Sequence, residues 1–186
     1  MGREQTSVII PTDIIDPGQQ IVLMEKAKSA GIRRAIEKRV ILAEEQASVR
    51  NFENILDAVA ALEQWNTAAL AVLGTAYSVF QAVGAFNLAN NKLAVFYAVQ
   101  VETIPLPVSL LTFRVGGAAG NIKAIFDLEQ LATRQVVGGY FSEPVVYDPT
   151  DNIAVQVTAR IATGVLARVQ LGAFIIEPKG QRFGSA

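Results

Sequence analysis

The strongest constraint on the fold is a two-residue alternation of apolar and polar side chains in the C-terminal half of the chain. It is clearest between Ile153 and Ile161. The apolar positions there are Ile153, Val155, Val157, Ala159 and Ile161, and the residues between them are Ala154, Gln156, Thr158 and Arg160. Because side chains two residues apart point to the same face of a β-strand, one face of this strand should contact a core and the other should face water or a neighbouring subunit.

Short β-rich runs of this kind follow one another between residues 91 and 180. They are KLAVFYAVQVE, VSLLTFRVG, NIKAIFDLE, QVVGGYFSEPVVYD, NIAVQVTARIA and VLARVQLGAFIIEP, separated by proline, glycine, asparagine or aspartate. This spacing is typical of an antiparallel sandwich or barrel. Thr163-Gly164 has the composition of a tight connection, so we expect the last two long strands to form a hairpin.

The N-terminal half instead has apolar residues spaced three or four apart, as in helices. Asp16-Pro17 predicts a helix N-cap followed by proline at the first helical position. Gly31 is interpreted as the stop of this helix or a kink in it. A second apolar stripe, from Ile32 to Leu62, contains no proline or glycine and predicts one long amphipathic helix.

No charged residue occurs between Glu63 and Lys92, and an uncharged helix of this length could cross a bilayer. Its polar residues, its many alanines and the lack of a basic cluster at either end favour a helix buried in a bundle or a subunit interface. Helical spacing places four of its residues on one face. The predicted oligomer interface therefore consists of Leu70, Leu73, Tyr77 and Phe80.

These patterns predict an α+β fold in four parts. An extended arm occupies residues 1–16, long helices occupy residues 17–90, an antiparallel β-sandwich occupies residues 91–180, and a flexible tail occupies residues 181–186. The arm alternates short apolar pieces with proline and aspartate. It has no core of its own, so we expect it to become ordered only against a neighbour.

Composition argues against an enzyme and favours a chain that associates with other chains. The chain has no histidine and no cysteine, which removes the commonest general base, the commonest metal ligand and the thiolate nucleophile. Apolar residues make up 51% and charged residues 18%, against about 25% charged in an average domain, so a monomer should leave apolar surface exposed. We therefore predict a homo-oligomer without catalytic residues, cofactor or metal.

Two clusters resemble ligand sites, and each has a simpler explanation. The run from Gly116 to Gly120 is rich in glycine, but a dinucleotide-binding loop needs a helix after it, and the residues that follow alternate like a strand. We expect a hairpin loop there. Glu143, Asp148, Asp151 and Asn152 supply oxygen ligands of the kind that calcium takes, yet their spacing matches no calcium loop and is ordinary for turns.

A basic cluster on the predicted helices is the strongest local charge signal. It consists of Lys26, Lys28, Arg33, Arg34, Lys38 and Arg39. Glu25 precedes these residues and Glu37 lies among them, and no aromatic residue lies among them to stack on bases. The formal net charge of -1 also argues against a chain that wraps nucleic acid. We predict a solvated or partner-facing helix surface.

Three segments, TFRVGGAAGNIKAIFDLE, YFSEPVVYDPTDNIAVQV and LGAFIIEPKG, resemble the β-domains of tailed-phage virion proteins of the capsid decoration, cement, head-fibre and collar types. The resemblance covers the chain from Lys92 to Gly180 and contains no catalytic or ligand motif. It implies a jelly-roll-like sandwich that forms a homo-oligomer and attaches to a larger protein shell, in a virion.

Two other functions fit the sequence. One is a membrane-associated assembly subunit that uses residues 64–91 as its membrane segment. The other is a carbohydrate-binding β-sandwich, for which the available aromatic residues are the scattered Tyr97, Tyr140 and Tyr147.

Overall fold

The computed structural model describes residues 8–51, 69–79, 86–102, 105–164 and 167–180, and these residues form two antiparallel β-sheets with one long helix. Sheet I has the strand order β1-β8-β5-β10-β2. Its strands are β1 (Ile9–Pro11), β2 (Ala47–Asn51), β5 (Leu93–Val101), β8 (Gly138–Tyr147) and β10 (Val169–Pro178).

Sheet II has the order β3-β9-β6-β7, with β4 also paired to β9. Its strands are β3 (Ala76–Ser78), β4 (Phe86–Asn87), β6 (Val108–Val115), β7 (Asn121–Asp127) and β9 (Asn152–Ala159).

Few of the described residues are helical, and the helices flank the two sheets. Helix α1 spans Pro17–Glu37 and α2 spans Glu129–Arg134, and two single 3-10 turns cover Thr12–Ile14 and Glu44–Gln46. Within the described ranges, no helix is long and apolar enough to cross a membrane.

Without β1 and β4, the strand order is that of a jelly roll, a two-sheet arrangement of eight strands. The chain passes between the sheets after β2, β4, β5, β7, β8 and β9. The antiparallel sheets agree with the predicted sandwich.

The prediction of a hairpin at Thr163-Gly164 is wrong, because β9 belongs to sheet II and β10 to sheet I. A local turn signal shows that the chain changes direction, but it does not show which sheet the next strand joins.

The space between the sheets is filled by the inward faces of their central strands. Ile153, Val155 and Val157 of β9 are fully buried there, as the alternation in the sequence predicts. Aromatic rings join the two sheets: the Phe126 ring of β7 stacks on the Phe141 ring of β8 with 4.0 Å between their centroids. This contact places β7 and β8 opposite each other along one side of the sandwich.

The outer face of sheet I is also apolar, and α1 covers it. Strand β5 directs Ala94 and Phe96 into the sandwich core and Leu93 and Val95 toward α1. The cluster under the helix contains Ala27, Ile32, Ala35, Ile41, Leu93, Val95, Phe174 and Ile176. The protein therefore has three layers, because a sheet that is apolar on both faces must be covered on both.

Long helices over residues 17–90 are contradicted by the structure. Helix α1 ends at Glu37, residues 47–51 form a strand of sheet I, and residues 76–78 form a strand of sheet II. Residues 52–68 and 80–85 of this region lie outside the described residues. The apolar spacing after Ile32 was compatible with a helix, but ASVRN pairs along β10 with Val49 opposite Ile176. Tertiary pairing outweighs weak local helix propensity here.

Gly31 does not end or kink the helix. It lies in the middle of α1, buried against sheet I. A Cβ atom at this position would overlap the side chains of Val95 and Ile176. Glycine is therefore required because the helix backbone approaches the sheet closely, and the helix ends six residues later at Glu37.

The extended arm predicted for residues 1–16 has structure within its own chain. Ile9–Pro11 form edge strand β1 against β8, with Ile9 opposite Phe141, and the Ile9 side chain is buried in the core. Residues 1–7, like the predicted tail over residues 181–186, lie outside the described residues. Strands β1 and β2 and helix α1 all precede residue 90, yet each packs on strands from residues 91–180.

The Gly31→Ala variant tests how closely α1 approaches sheet I. Alanine should add about 1 kcal/mol of helix propensity, but the new methyl group must displace two packed side chains, which costs about 1–3 kcal/mol. We expect a net loss in the free energy of unfolding, measured by urea denaturation. Ser29→Ala, at an exposed position of the same helix, should leave stability unchanged or slightly raised. A Gly31→Ala variant that is as stable as Ser29→Ala would contradict this packing.

Candidate functional site

The first turn of α1 is fixed by its cap. The Asp16 Oδ1 atom accepts a hydrogen bond from the Gln19 backbone N–H at 2.8 Å, and the Gln19 Oε1 atom accepts one from the Asp16 N–H at 3.0 Å. Pro17 occupies the first helical position. This reciprocal capping box satisfies two backbone donors that the helix leaves free, as the Asp16-Pro17 pair in the sequence predicted. It sets the angle at which the chain enters the helix from β1.

An apolar groove lies between β1 and this first part of α1. Its volume is about 490 Å³, and it is open to solvent. The groove, called here the N-terminal groove, is lined by Ile10, Ile15, Asp16, Gly18, Gln19, Val22 and Leu23. Its polar side chains are those of the capping box, which bond each other, so the remaining lining is almost entirely aliphatic.

Three large apolar side chains before and after the helix cap in the sequence are exposed, and one of them, Val22, lines the groove. Ile14 is 53% exposed, Ile21 61% and Val22 66%. Single exposed aliphatic residues are common on proteins, but a contiguous group marks a surface for contact. These three residues and the groove together form the N-terminal apolar surface. Its one carboxylate, that of Asp16, is bonded to the helix N-terminus, and the aliphatic remainder is suited to binding another apolar surface.

Ion pairs hold α1, and therefore the groove, in place on β8. The Lys26 Nζ atom contacts the Glu143 Oε1 atom at 2.9 Å. Near the other end of the helix, Arg34 donates two hydrogen bonds of 2.7 Å to the two Asp148 carboxylate oxygens. The Lys38 Nζ atom is 2.9 Å from the same carboxylate. A bidentate guanidinium–carboxylate pair fixes orientation as well as distance.

These cations also shift the titration of Asp148. Hydrogen bonds from Arg34 and then Lys38 stabilise the carboxylate, and together they lower the pKa of Asp148 to about 2, although partial burial opposes the shift. The basic cluster identified in the sequence is thus used largely within the chain. Lys26, Arg34 and Lys38 pair with β8 or the turn after it, and Lys28 lies 3.6 Å from Glu25.

Of the four residues predicted to form one helical interface, the three that the structure describes do not share a helical face. Leu70 is fully buried in the core of its own chain, whereas Leu73 is 61% exposed. Tyr77 lies on β3, partly buried against the core, and its hydroxyl oxygen accepts a hydrogen bond from the Val72 N–H at 3.0 Å. Phe80 lies outside the described residues. A role for these residues in an oligomer interface stays a prediction.

Leu73 belongs to an exposed turn before β3 that also carries Val72, which is 57% exposed. This segment, Ala71 to Gly74, is called here the β3 turn. Gly74 has a φ of 70° and donates its N–H to the Ala159 carbonyl at 2.9 Å. A positive φ favours glycine, and the hydrogen bond attaches the turn to the end of β9.

The glycine-rich run is a hairpin loop, as the sequence predicted. Strands β6 and β7 pair antiparallel on either side of it. The Gly116 N–H donates to the Asn152 carbonyl at 2.9 Å and the Gly120 N–H to the Gly117 carbonyl at 2.9 Å. These backbone donors have partners inside the protein, so they are not aimed at a phosphate.

The acidic residues between 143 and 152 are separated by their partners. Glu143 pairs with Lys26, and Asp148 pairs with Arg34 and Lys38. Asp151 accepts a hydrogen bond from the Asp148 N–H at 2.9 Å, in a turn. Asn152 Oδ1 is buried without a hydrogen-bond partner. In the part of the chain that the structure describes, no group of three or more acidic, histidine or cysteine residues could hold a metal ion.

The tyrosines considered for sugar binding are packed against other groups. The Tyr97 ring stacks on Phe174 at 4.7 Å and on Tyr140 at 6.1 Å between centroids. Tyr147 is fully buried and donates its hydroxyl hydrogen to the Arg114 carbonyl at 2.9 Å, and burial raises its pKa. The two faces of the Tyr97 ring are therefore directed toward neighbouring rings.

Sequence reasoning missed the N-terminal apolar surface, although a signal for it was present. Residues 21–24 read IVLM, four successive apolar residues within a helix. Four successive positions span about 300° around a helix axis at 3.6 residues per turn, so they cannot all face one sheet. At least one of these four side chains had to be exposed or covered by a group other than the sheet.

Comparison of the chain with models of protein families, with curated proteins and with solved structures finds no match. Inferences about function therefore rest on the residues and their geometry.

The Asp148→Asn variant tests the ion pair between α1 and β8. A carboxylate with a lowered pKa in the folded state contributes stability above its unfolded pKa of about 4, and this contribution disappears as the pH falls toward 2. We expect the variant to lose about 1–2 kcal/mol of unfolding free energy at pH 7. The difference from the wild type should shrink between pH 4 and pH 2, measured by urea denaturation across that range.

Glu143→Gln is the matched control, because it removes the more exposed pair that Lys26 of α1 makes with β8 itself. It should change stability by less than about 0.5 kcal/mol. If Asp148→Asn follows the same pH dependence as the wild type, the Arg34–Asp148 pair does not stabilise the fold.

Proposed function

We propose that this protein is a non-enzymatic structural subunit that associates with copies of itself and attaches to a larger protein shell. From the resemblance of its C-terminal half to tailed-phage virion proteins we infer that this shell belongs to a virion, where the chain would be a capsid decoration, cement, or fibre or collar component.

The N-terminal apolar surface is the observation that carries this proposal. Ile14, Ile21 and Val22 are each more than half exposed, and Val22 also lines an open aliphatic groove. The core does not need these side chains, because the sandwich is filled by other residues and α1 covers sheet I with its opposite face. Exposed apolar surface of this kind costs solubility and is retained where it binds a partner.

Other observations are compatible with a structural role. The chain contains no histidine or cysteine, and the carboxylates that resembled a ligand site bond cations or backbone groups instead. The jelly-roll order is a fold found in viral capsid proteins, and also in lectins and cupins. That likeness is an analogy at the level of fold and does not identify a function by itself.

The two alternatives have less support from the geometry. Residues 69–79 contain an exposed turn and strand β3, whereas a membrane segment over residues 64–91 would require a continuous helix. A carbohydrate-binding surface requires aromatic ring faces open to solvent, and Tyr97 lies between two other rings. The favoured partners are therefore further copies of this chain and a protein shell.

Light scattering coupled to size-exclusion chromatography tests self-association. The full chain at micromolar concentration, without added metal, cofactor or detergent, should elute as one oligomer. Val22→Asp should lower the oligomer mass and keep the circular dichroism spectrum, because an unpaired charge disfavours burial at an interface while Val22 is exposed in the protomer. Leu42→Asp is the control, since Leu42 is 76% exposed outside the N-terminal apolar surface.

Two results would count against the proposal. One is a monodisperse wild-type monomer. The other is a Val22→Asp variant that assembles as the wild type does. Images of particles from the native source that contain this chain would identify the shell to which it attaches.

A further inference from the structure

We propose that the partner for the N-terminal groove is the β3 turn of a second copy of this chain. Val72 and Leu73 of one copy would enter the groove of the next copy, forming a head-to-tail contact. This inference rests on the proposed self-association and adds to it the two surfaces that meet.

The β3 turn has the form of an apolar projection. Val72 and Leu73 are 57% and 61% exposed at its tip. The turn is held on both sides, by the Gly74 N–H bond to Ala159 and by the Val72 N–H bond to the Tyr77 hydroxyl. An apolar segment that is already ordered loses little conformational entropy when it binds, which favours affinity.

The groove is complementary to this turn in chemistry. Its aliphatic lining comes from Ile10, Ile15, Val22 and Leu23, and residues 71–74 read AVLG, with no charged side chain. Contact between the two would bury apolar surface on both sides without desolvating an unpaired charge. The one carboxylate at the groove, Asp16, bonds the helix N-terminus and needs no cation from the partner.

The turn and the groove lie on opposite lateral edges of the sandwich. The groove is beside β1, at one edge of sheet I, and Arg134 of α2 lies 3.2 Å from Asp13 just after β1. Helix α2 follows β7, and β7 faces β8 through the Phe126–Phe141 stack. The β1 edge is therefore on the same side as β7, whereas β3 is at the other edge of sheet II.

This placement determines the symmetry of the contact. A groove and a projection on opposite edges cannot meet within one copy. They also cannot share one two-fold interface, because a two-fold axis at either edge would bring groove to groove or turn to turn. A contact between different surfaces of identical chains is heterologous, and it generates a ring if the rotation closes or a row if it does not. Either product is a suitable unit for a protein shell.

Cross-linking of single-cysteine variants distinguishes these arrangements cleanly, because the natural chain has no cysteine. Full-length Val22→Cys and Leu73→Cys are prepared separately, mixed to allow subunit exchange, and treated with a short bis-maleimide. We expect a cross-linked dimer in the mixture and at least about tenfold less in either variant alone, the factor that corresponds to about 1.4 kcal/mol of preference. Leu42→Cys mixed with Leu73→Cys is the matched control and should give as little product as the single variants.

A second measurement covers the case in which a cysteine variant does not exchange subunits. Leu73→Asp should retain the wild-type circular dichroism spectrum, because Leu73 is exposed, and should raise the oligomer dissociation constant at least about tenfold. An oligomeric wild type with no Val22–Leu73 cross-link and an unaffected Leu73→Asp variant would overturn this inference while leaving the proposed function standing. Efficient cross-linking of Val22→Cys with itself would overturn it in favour of a two-fold dimer. A monomeric wild type would overturn both.

Discussion

The packing of α1 against sheet I is the contact on which the remaining architecture depends. Sheet I is apolar on both faces: Phe96 and Ile175 belong to the sandwich core, and Val95 and Ile176 to the cluster under the helix. Sheet II covers only the first face. Burying a large aliphatic side chain contributes about 1.5–3 kcal/mol, so several uncovered residues would remove most of the stability of a domain of this size. Gly31 lets the backbone of α1 approach sheet I closely enough to cover its outer face.

Ion pairs then orient the helix more than they stabilise it. A largely exposed pair such as Lys26–Glu143 contributes about 0–1 kcal/mol, less than one buried aliphatic side chain. The bidentate Arg34–Asp148 pair nevertheless restricts rotation of α1 about its own axis. The rotation of α1 about its axis determines which of its residues face the sheet and which, like Ile21 and Val22, remain exposed. The N-terminal apolar surface is therefore a consequence of the orientation in which these ion pairs hold α1.

The proposed assembly follows from what this arrangement leaves uncovered. The sandwich core is filled by residues of one chain, but the N-terminal groove and the β3 turn are among the apolar features that remain exposed in the described residues. They lie at opposite edges of the molecule, with β1 at an edge of sheet I and β3 at an edge of sheet II. A rigid two-sheet body with complementary edges suits a shell, because each copy can contact a neighbour on either side without changing its fold.

Local chemistry in the sequence determined the features that depend on neighbouring residues alone: the inward face of β9, the hairpin loop at Gly116–Gly120 and the cap of α1 at Asp16-Pro17. Tertiary structure decided the rest. Alternation of apolar and polar residues shows which side chains share a face of a strand, but it does not show which strand pairs beside it. The sequence therefore did not reveal that β9 and β10 belong to different sheets. Apolar residues spaced three or four apart, as in a helix, also occur in a segment that forms a strand, as in β2, because pairing with β10 outweighs the helix propensity of the segment. Whether Leu70 became core and Leu73 surface depended on contacts with residues far along the chain, which sequence spacing does not contain.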